Sequence, residues 1–227
     1  MSTNYTYSYF RVPKTELISE SGQKYRNLRL NALQVSPSSF SSTIEIESAF
    51  TDEVWASRVA QSGTEVFICA IDASAATGPG SDSGNWVGQV TLHGPKSVHE
   101  LGPPDASLCS NMDNDGEWWQ MLSLFILPDH RGKGLAKRLC EEALNYLRNY
   151  WCPATSLNVR LMVKPENHIT VELYKRLGFE VSGRCTLAEA LIANGDAEYL
   201  PQDITDEKYS ARTGLVLILH LSRSRNL

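Results

Sequence analysis

The chain has 227 residues, of which 42% are hydrophobic and 21% are charged, and its formal net charge is −5. This composition is typical of a soluble globular protein and excludes the disordered, collagen-like and membrane classes. The acidic balance disfavours general nucleic-acid binding, which depends on basic surfaces that displace counterions from phosphates, and mildly favours a cationic partner.

The N-terminal residues MSTNYTYSYFRVP lack the basic start, apolar core and cleavage site of a secretory signal. No apolar run approaches the ~20 residues that a membrane helix needs. We therefore expect a cytoplasmic protein that does not enter a membrane. The five cysteines are scattered, with no C-x-x-C pair and no histidine at ligand spacing, so the sequence predicts neither disulfides nor a metal site.

The first predicted element is a strand at residues 25–33, where leucine and alanine alternate with polar residues. A helical region in short pieces follows it. Thr51 or Asp52 is the expected helix cap, and Gly63 is the expected stop.

Residues 64–73 and 85–94 read as two strands joined by a surface hairpin loop at 74–84. Residues 95–116 show no clear periodicity, which fits either a disordered excursion or a loop at an acceptor site. Residues 117–127 are apolar on both faces, as expected of a strand in the middle of a sheet.

The strongest helix prediction covers residues 132–150. Its apolar stripe consists of Leu135, Ala136, Leu139, Cys140, Ala143, Leu147 and Tyr150. Residues 156–165 alternate as a strand. A second helix is predicted between a cap at Asn167 and a stop at Gly178. Its apolar residues Ile169, Leu173 and Leu177 recur at i, i+4 and i+8.

A short strand at 179–183 is followed by an interruption at 184–213, which carries its own predicted helix ended by Asn-Gly. A last strand at 215–221 closes the sheet. The elements together predict an α/β sheet with helices packed on it. We interpret the chain as a single domain, 1–227, with an N-terminal extension over about 1–24.

The turn Arg131-Gly132-Lys133-Gly134 lies between the central strand and the predicted helix. The first N–H groups of a helix have no internal partners, and the helix dipole makes this end attractive to anions. Glycines allow phosphate oxygens to approach the backbone closely, so a diphosphate would fit there. The alternative is an ordinary basic surface loop, but positive charge at a helix N-terminus is unfavourable unless an anion offsets it. The phosphate-loop and dinucleotide motifs do not match.

These residues resemble the GNAT superfamily of acyl-CoA-dependent N-acetyltransferases. The stretch PDHRGKGLA, Pro128 to Ala136, agrees with the family pattern Pro-x-x-Arg-Gly-x-Gly-hydrophobic-Gly/Ala at every fixed position. A second family motif matches Asn167, Tyr174, Gly178 and Phe179. The two motifs cover about 117–181. The resemblance implies a mixed, mostly antiparallel sheet flanked by helices, with residues 184–213 inserted before the last strand.

The resemblance also implies a site for acetyl-CoA. Backbone N–H groups would bind the diphosphate, and they belong to Arg131, Gly132, Lys133, Gly134, Leu135 and Ala136. The backbone of Phe125 and Ile126 would follow the pantetheine arm, with Asn167 on its other side. The central strand would splay from the next strand to form a slot for the thioester.

Tyr174 is the predicted general acid, because its phenol could protonate the departing thiolate; a half-buried structural tyrosine is the alternative. Glu117 is the predicted base, as the one acidic residue of the central strand, although it lies at the start of that strand. Other candidates are His93, His99, Asp203, Asp206 and Glu207, for which a surface role is the alternative.

The sequence thus predicts an N-acetyltransferase that moves the acetyl group of acetyl-CoA to a primary amine by direct attack in a ternary complex, without a metal. The acceptor would be a small-molecule or peptide amine, and a homodimer is left open. The alternatives are a non-catalytic acyl-CoA-binding regulatory module and transfer of a longer acyl group. Trp118 and Trp119 would either shape the acceptor pocket or belong to the core.

Overall fold

A computed structural model describes residues 5–72, 85–96, 116–149 and 156–221. Its strands are β1 (Tyr7–Arg11), β2 (Thr64–Ile71), β3 (Trp86–Lys96), β4 (Glu117–Ile126), β5 (Leu157–Val163), β6 (Glu180–Cys185) and β7 (Gly214–Leu221). They form one sheet in the order β1-β2-β3-β4-β5-β7-β6. All neighbouring strands in it are antiparallel except β4 and β5, which are parallel. The predicted mixed, mostly antiparallel sheet is confirmed.

Helices cover both faces of the sheet. They are α1 (Ile18–Val35), α2 (Ile44–Glu47), α3 (Asp52–Ala60), α4 (Leu135–Asn149), α5 (His168–Arg176), α6 (Leu187–Asn194) and α7 (Glu207–Ser210). Val66 and Ile68 of β2 pack with α1 and α3, whereas Phe67 and Cys69 between and after them pack with α4, because successive strand residues point to opposite faces. Within the described ranges, no helix combines the length and apolar character needed to cross a bilayer.

The strand predicted at residues 25–33 is wrong, because this segment belongs to α1. The buried residues of the helix are Gly22, Tyr25, Leu28, Arg29, Ala32 and Leu33. From Tyr25 onward their spacing of three, four, seven and eight residues is that of a helix face. Leu30, which suggested the alternation of a strand, is only half-buried.

The first strand instead lies in the segment predicted as an N-terminal extension. β1 pairs along its whole length with β2, from Tyr7 opposite Ile71 to Arg11 opposite Phe67. The division of the chain into one domain with an extension and an insertion stays a prediction.

The helical pieces before β2 and the helix after β4 are confirmed. The Thr51 hydroxyl accepts a hydrogen bond from the Val54 N–H at 3.4 Å, which caps α3, and Gly63 adopts φ +77° before β2. In α4 the predicted stripe is buried at Leu135, Leu139, Cys140, Ala143 and Leu147. The predicted last member of the stripe, Tyr150, lies outside the described residues. The buried side chains anchor the start of α4 to the sheet.

The helix predicted after Asn167 is also present as α5, but its buried face is different from the predicted stripe. Val171 and Tyr174 are buried, whereas the Ile169 side chain is 88% exposed. In this short helix the residues three apart contact the core, and the i, i+4, i+8 row does not.

In the segment before the last strand, α6 begins with a reciprocal cap between Thr186 and Glu189 and ends at Gly195, which has φ +84°. The last strand, β7, does not close the sheet at its edge but lies between β5 and β6. The predicted loops lie outside the described residues at 74–84 and 97–115, and with them His99.

Candidate active site

The central feature of the site is a slot between β4 and β5. The two strands pair only where Glu117–Gln120 lie beside Leu157–Arg160. Beyond that point β4 continues to pair with β3, and β5 continues to pair with β7. The two parallel strands therefore separate, and the splay implied by the family resemblance is present.

A β-bulge lies at the slot. Ser123 has φ 59°, which is the left-handed region and is uncommon for a residue other than glycine. In the pairing of β3 with β4, Gln89 is opposite Phe125 and Thr91 is opposite Leu122, so the chain of β4 has an extra residue here. Such a bulge takes backbone groups out of the strand ladder and turns them toward the slot.

The glycine turn follows β4 directly and leads into α4. Gly132 and Gly134 both have φ +76°, a conformation that side chains disfavour. A Cβ at either glycine would meet nothing within 4 Å, so the turn faces open space. Within the part of the chain that the structure describes, the N–H groups of residues 132–137 have no backbone acceptor. This arrangement of free donors at a helix N-terminus can hold an anion such as a diphosphate.

The Arg131 side chain and N–H are held by the protein itself. Its Nε donates to the Ile126 carbonyl oxygen at 2.9 Å, and its Nη2 donates to Ser36 Oγ at 3.3 Å. Its backbone N–H donates to the Pro128 oxygen at 3.1 Å. Of the N–H groups predicted to bind the diphosphate, that of Arg131 is therefore already bonded.

Lys133 contacts β1. Its Nζ donates to the Tyr7 hydroxyl at 3.1 Å and lies 5.5 Å from the centre of the Tyr5 ring. The Tyr7 hydroxyl is also 2.9 Å from His130 Nδ1. Because the ammonium can only donate, the Tyr7 hydrogen is available to His130, which then must be neutral. Burial, and then Lys133, lower the pKa of His130, in agreement with that protonation state.

The two predicted residues of α5 lie at different depths. Asn167 is half-buried at the helix start, and its side chain makes no capping hydrogen bond, which leaves the amide able to contact a ligand. Tyr174 lies about 10 Å further along the helix axis, by the rise of seven residues. It is only 5% exposed and packs edge-on against Phe179. Burial, and then the Cys140 thiol, raise the pKa of Tyr174 well above its ordinary value.

Glu117 is not brought together with the other predicted residues. It lies six residues before Ser123 in β4, roughly 20 Å away at the rise of an extended strand. Its carboxylate is buried and accepts a hydrogen bond from Trp119 Nε1 at 3.0 Å. Trp118 and Trp119 are each 1% exposed and belong to hydrophobic clusters, so they are core residues.

The other candidate bases lie in structural settings of their own. The exposed Asp203 accepts hydrogen bonds from Thr205, and the exposed Asp206 accepts one from the Lys208 N–H. Glu207, also exposed, begins α7.

His93 of β3 lies near the start of the neighbouring strand. Its Nδ1 is 3.2 Å from the Thr64 hydroxyl of β2. Burial, and then Lys96, lower the pKa of His93 to about 4. The imidazole is therefore neutral at physiological pH and is bonded within the sheet.

A group of buried charged residues on the α1 side of the slot was missed by sequence reasoning. Arg29 of α1 is bound to Glu47 of α2 and also contacts Ser123 at the bulge. Arg58 of α3 is bound to Asp196, which follows α6. Had residues 25–33 been read as a helix, Arg29 would have stood out as a charge on an apolar face.

Comparison with known proteins gives a consistent family. The model of the acetyltransferase (GNAT) family matches residues 44–179, more than half of the chain. The chain is 41% identical over 64 residues to the peptidyl-lysine N-acetyltransferase YjaB of Salmonella typhimurium. That match covers 28% of this chain and 38% of the length of the relative.

Solved structures share the fold. The complex of Arabidopsis thaliana NAA60 with a bisubstrate analogue superposes with a TM-score of 0.55 at 18% identity, covering 95% of this chain and 100% of that one. A GNAT-family acetyltransferase from Streptococcus pneumoniae gives 0.55 at 12% identity, with 95% and 100% covered. With its splayed strands, its bulge and its glycine turn, the chain belongs to the acetyltransferase (GNAT) family.

Proposed function

We propose that the protein transfers the acetyl group of acetyl-CoA to a primary amine by direct attack in a ternary complex. The observation that carries this proposal is the continuity of the slot between β4 and β5 with the free N–H groups at the start of α4. A ligand with a diphosphate at one end and a narrow arm leading to a thioester matches that shape.

In this proposal the N–H groups of residues 132–136 hold the diphosphate, and the backbone of Phe125 and Ile126 contacts the pantetheine arm. The Asn167 amide contacts the arm from the other strand. Because Arg131 Nε donates to the Ile126 oxygen, this carbonyl would have to use its second lone pair for the arm, or the arginine would have to move. Backbone N–H groups at the Ser123 bulge would stabilise negative charge on the carbonyl oxygen of the thioester.

The chemical step balances without a covalent enzyme intermediate. The amine nitrogen forms a bond to the thioester carbonyl carbon, the carbon–sulfur bond breaks, and the thiolate takes a proton. We assign that proton to Tyr174. Its raised pKa means that the phenol keeps its hydrogen at neutral pH and is able to donate it.

The base is the part of the predicted mechanism that we change. Glu117 lies too far along β4 to reach the bulge. Among the described residues on the α1 side, the carboxylates of Glu47 and Asp196 are each paired with a guanidinium. We therefore propose that the acceptor reacts as the free amine, with its proton lost to water. Turnover should then rise with pH toward the pKa of the amine itself.

The acceptor class is a small-molecule or peptide amine. Peptidyl-lysine is the first acceptor to test, because the relative from Salmonella typhimurium is described as a peptidyl-lysine N-acetyltransferase. A cytoplasmic location and an absence of nucleic-acid and membrane partners stay predictions. The homodimer stays open.

The decisive experiment measures release of the coenzyme A thiol from acetyl-CoA across lysine peptides, N-terminal peptides, polyamines, aminosugars and amino acids. Release that depends on both an amine and the protein supports the enzyme. A melting temperature that rises with acetyl-CoA, without thiol release for any amine, would favour the binding module instead. Faster release from a longer acyl-CoA would reassign the acyl group.

A further inference from the structure

Arg29 and Glu47 form a buried ion pair between α1 and α2. Arg29 Nη2 lies 2.6 Å from Glu47 Oε1, and Arg29 Nε lies 2.9 Å from Glu47 Oε2, which is a two-point contact. Arg29 is 4% exposed and Glu47 is 0% exposed. The planar guanidinium and the carboxylate thus fix each other in orientation as well as in distance.

The same guanidinium reaches the bulge of β4. Arg29 Nη1 donates to Ser123 Oγ at 3.3 Å, and the guanidinium carbon lies 4.6 Å from the centre of the Phe40 ring. Ser123 is the residue with positive φ at which β4 turns into the slot. One side chain therefore connects α1, α2 and the strand position where the thioester carbonyl is proposed to lie.

The pair belongs to a larger network. Arg58 Nη1 lies 3.9 Å from Glu47 Oε2, and Arg58 Nη2 lies 2.9 Å from Asp196 Oδ1. Two residues earlier, Asn194 Nδ2 donates to Ser41 Oγ at 3.1 Å. The network holds the segment after α6 against α2, α3 and the loop before α2.

The adjoining face of β3 carries buried polar atoms that have no partner among the described residues. Gln89 is fully buried and its Nε2 donates to the Ser123 carbonyl oxygen at 3.4 Å, while its Oε1 is unbonded. Thr91 Oγ1, two residues along the same face, is also unbonded. Buried polar atoms are nearly always bonded, so these two indicate that water or a polar ligand is used on this side of the bulge.

A buried ion pair gives little net stability over an apolar pair of the same size, so stability alone does not account for Arg29 and Glu47. We propose that they are positioning residues that set the bulge at Ser123 and the acceptor side of the slot. They would align the acceptor amine with the thioester and leave coenzyme binding unaffected. This inference rests on the proposed function.

The test uses the double variant Arg29→Met/Glu47→Leu, because removing one partner alone would leave a buried unpaired charge and strongly destabilise the fold. We expect a melting temperature close to that of the wild type and an acetyl-CoA Kd within about twofold, since the glycine turn is untouched. We expect kcat/KM for the amine to fall about 10- to 100-fold, in line with misplacement of reacting groups. Arg26→Met is the matched control, because Arg26 lies on the same helix in an exposed ion pair with Asp52.

A second variant, Ser123→Ala, removes only the acceptor of the Nη1 hydrogen bond and deletes no charge. It should lower kcat/KM for the amine about three- to tenfold with an unchanged coenzyme Kd. Unchanged kcat/KM in both variants would overturn the role of the pair while the proposed function stands. A wild-type protein that acetylates no amine would overturn the proposed function, and the positioning role with it.

Discussion

The two sides of the slot between β4 and β5 are built from different kinds of group. On the coenzyme side the donors are backbone N–H groups of residues close together in sequence, and Arg131 bonds to a carbonyl only five residues away. On the acceptor side the contacts are between side chains 94 residues apart for Arg29 and Ser123, and 138 apart for Arg58 and Asp196.

This difference explains which side carries a recognisable pattern. A turn that presents N–H groups needs glycine at two positions of positive φ and a helix start, which together leave a short motif. A network of side chains needs only that distant residues meet, and many sequences can do this. The coenzyme side is therefore identified by its motif, whereas the acceptor side is identified only in the folded chain.

The largest expected effect concerns Tyr174, a side chain on the side that otherwise works through the backbone. Tyr174→Phe removes the hydroxyl but keeps the ring that packs on Phe179. If the phenol protonates the thiolate, kcat should fall about 10²- to 10⁴-fold. The Kd for acetyl-CoA, measured by calorimetry, should change little.

Tyr25→Phe is the matched control, because it removes the hydroxyl of another buried tyrosine that lies on α1 beside Trp55. Its kcat should stay near that of the wild type. If Tyr174→Phe turned over as fast as this control, the coenzyme side would have no side chain acting as the acid, and the thiolate would leave unprotonated.

The same division describes what can be predicted. The strands and helices from 117 to 181 follow from periodicity and from two motifs, because each depends on neighbours in sequence. Reading 25–33 as a strand is wrong because Leu28, Leu30 and Ala32 fit a period of two as well as a helix face with one half-buried member. With that error, Arg29 counts as a polar strand residue and the acceptor side is missed.

Glu117 shows a second limit. Its type and its strand are suitable for a base, but the distance along β4 to the bulge depends on where the bulge lies. Nothing in the sequence marks Ser123 as the residue with positive φ, because glycine, which favours that region, is absent there. The position of the chemistry along the strand is therefore set only in the folded chain.

The second prediction separates backbone from side chain within the coenzyme side. Gly134→Val places a branched side chain at φ +76°, which costs about 1–2 kcal/mol and should redirect the N–H groups of the turn. The Kd for acetyl-CoA should rise about tenfold or more, since 1.4 kcal/mol corresponds to about a factor of ten. Lys133→Ala should weaken binding by less than about threefold, because the ammonium is held against Tyr7.

Gly195→Val is the control for backbone strain, because Gly195 also has a positive φ, at +84°, but lies after α6. It should lower the melting temperature and leave the coenzyme Kd unchanged. An equal loss of coenzyme affinity in Lys133→Ala and Gly134→Val would contradict the view that the backbone holds the diphosphate.

The smallest expected effect is on the acceptor side and depends on pH. His93 lies under the turn at Gly195, where a Cβ on that glycine would be 3.6 Å from the imidazole Cε1. Burial and Lys96 lower its pKa from 6.5 to about 4, so between these pH values the unfolded chain binds a proton that the folded chain does not. The free energy of unfolding should therefore fall as pH falls through this window, by at most about 1.4 kcal/mol per pH unit and by less where water reaches the ring.

Urea unfolding of the wild type and His93→Gln at about pH 8, 6.5, 5.5 and 4.5 measures this contribution as the difference between two curves. Glu47 and Asp196 are present in both proteins, so their own titration cancels in that difference. At the highest pH the two proteins should differ by a constant, and toward the lowest pH the wild type should lose stability faster. Parallel curves would mean that the imidazole is as free to take a proton as in the unfolded chain, and hence that the turn at Gly195 does not close the acceptor side over β3.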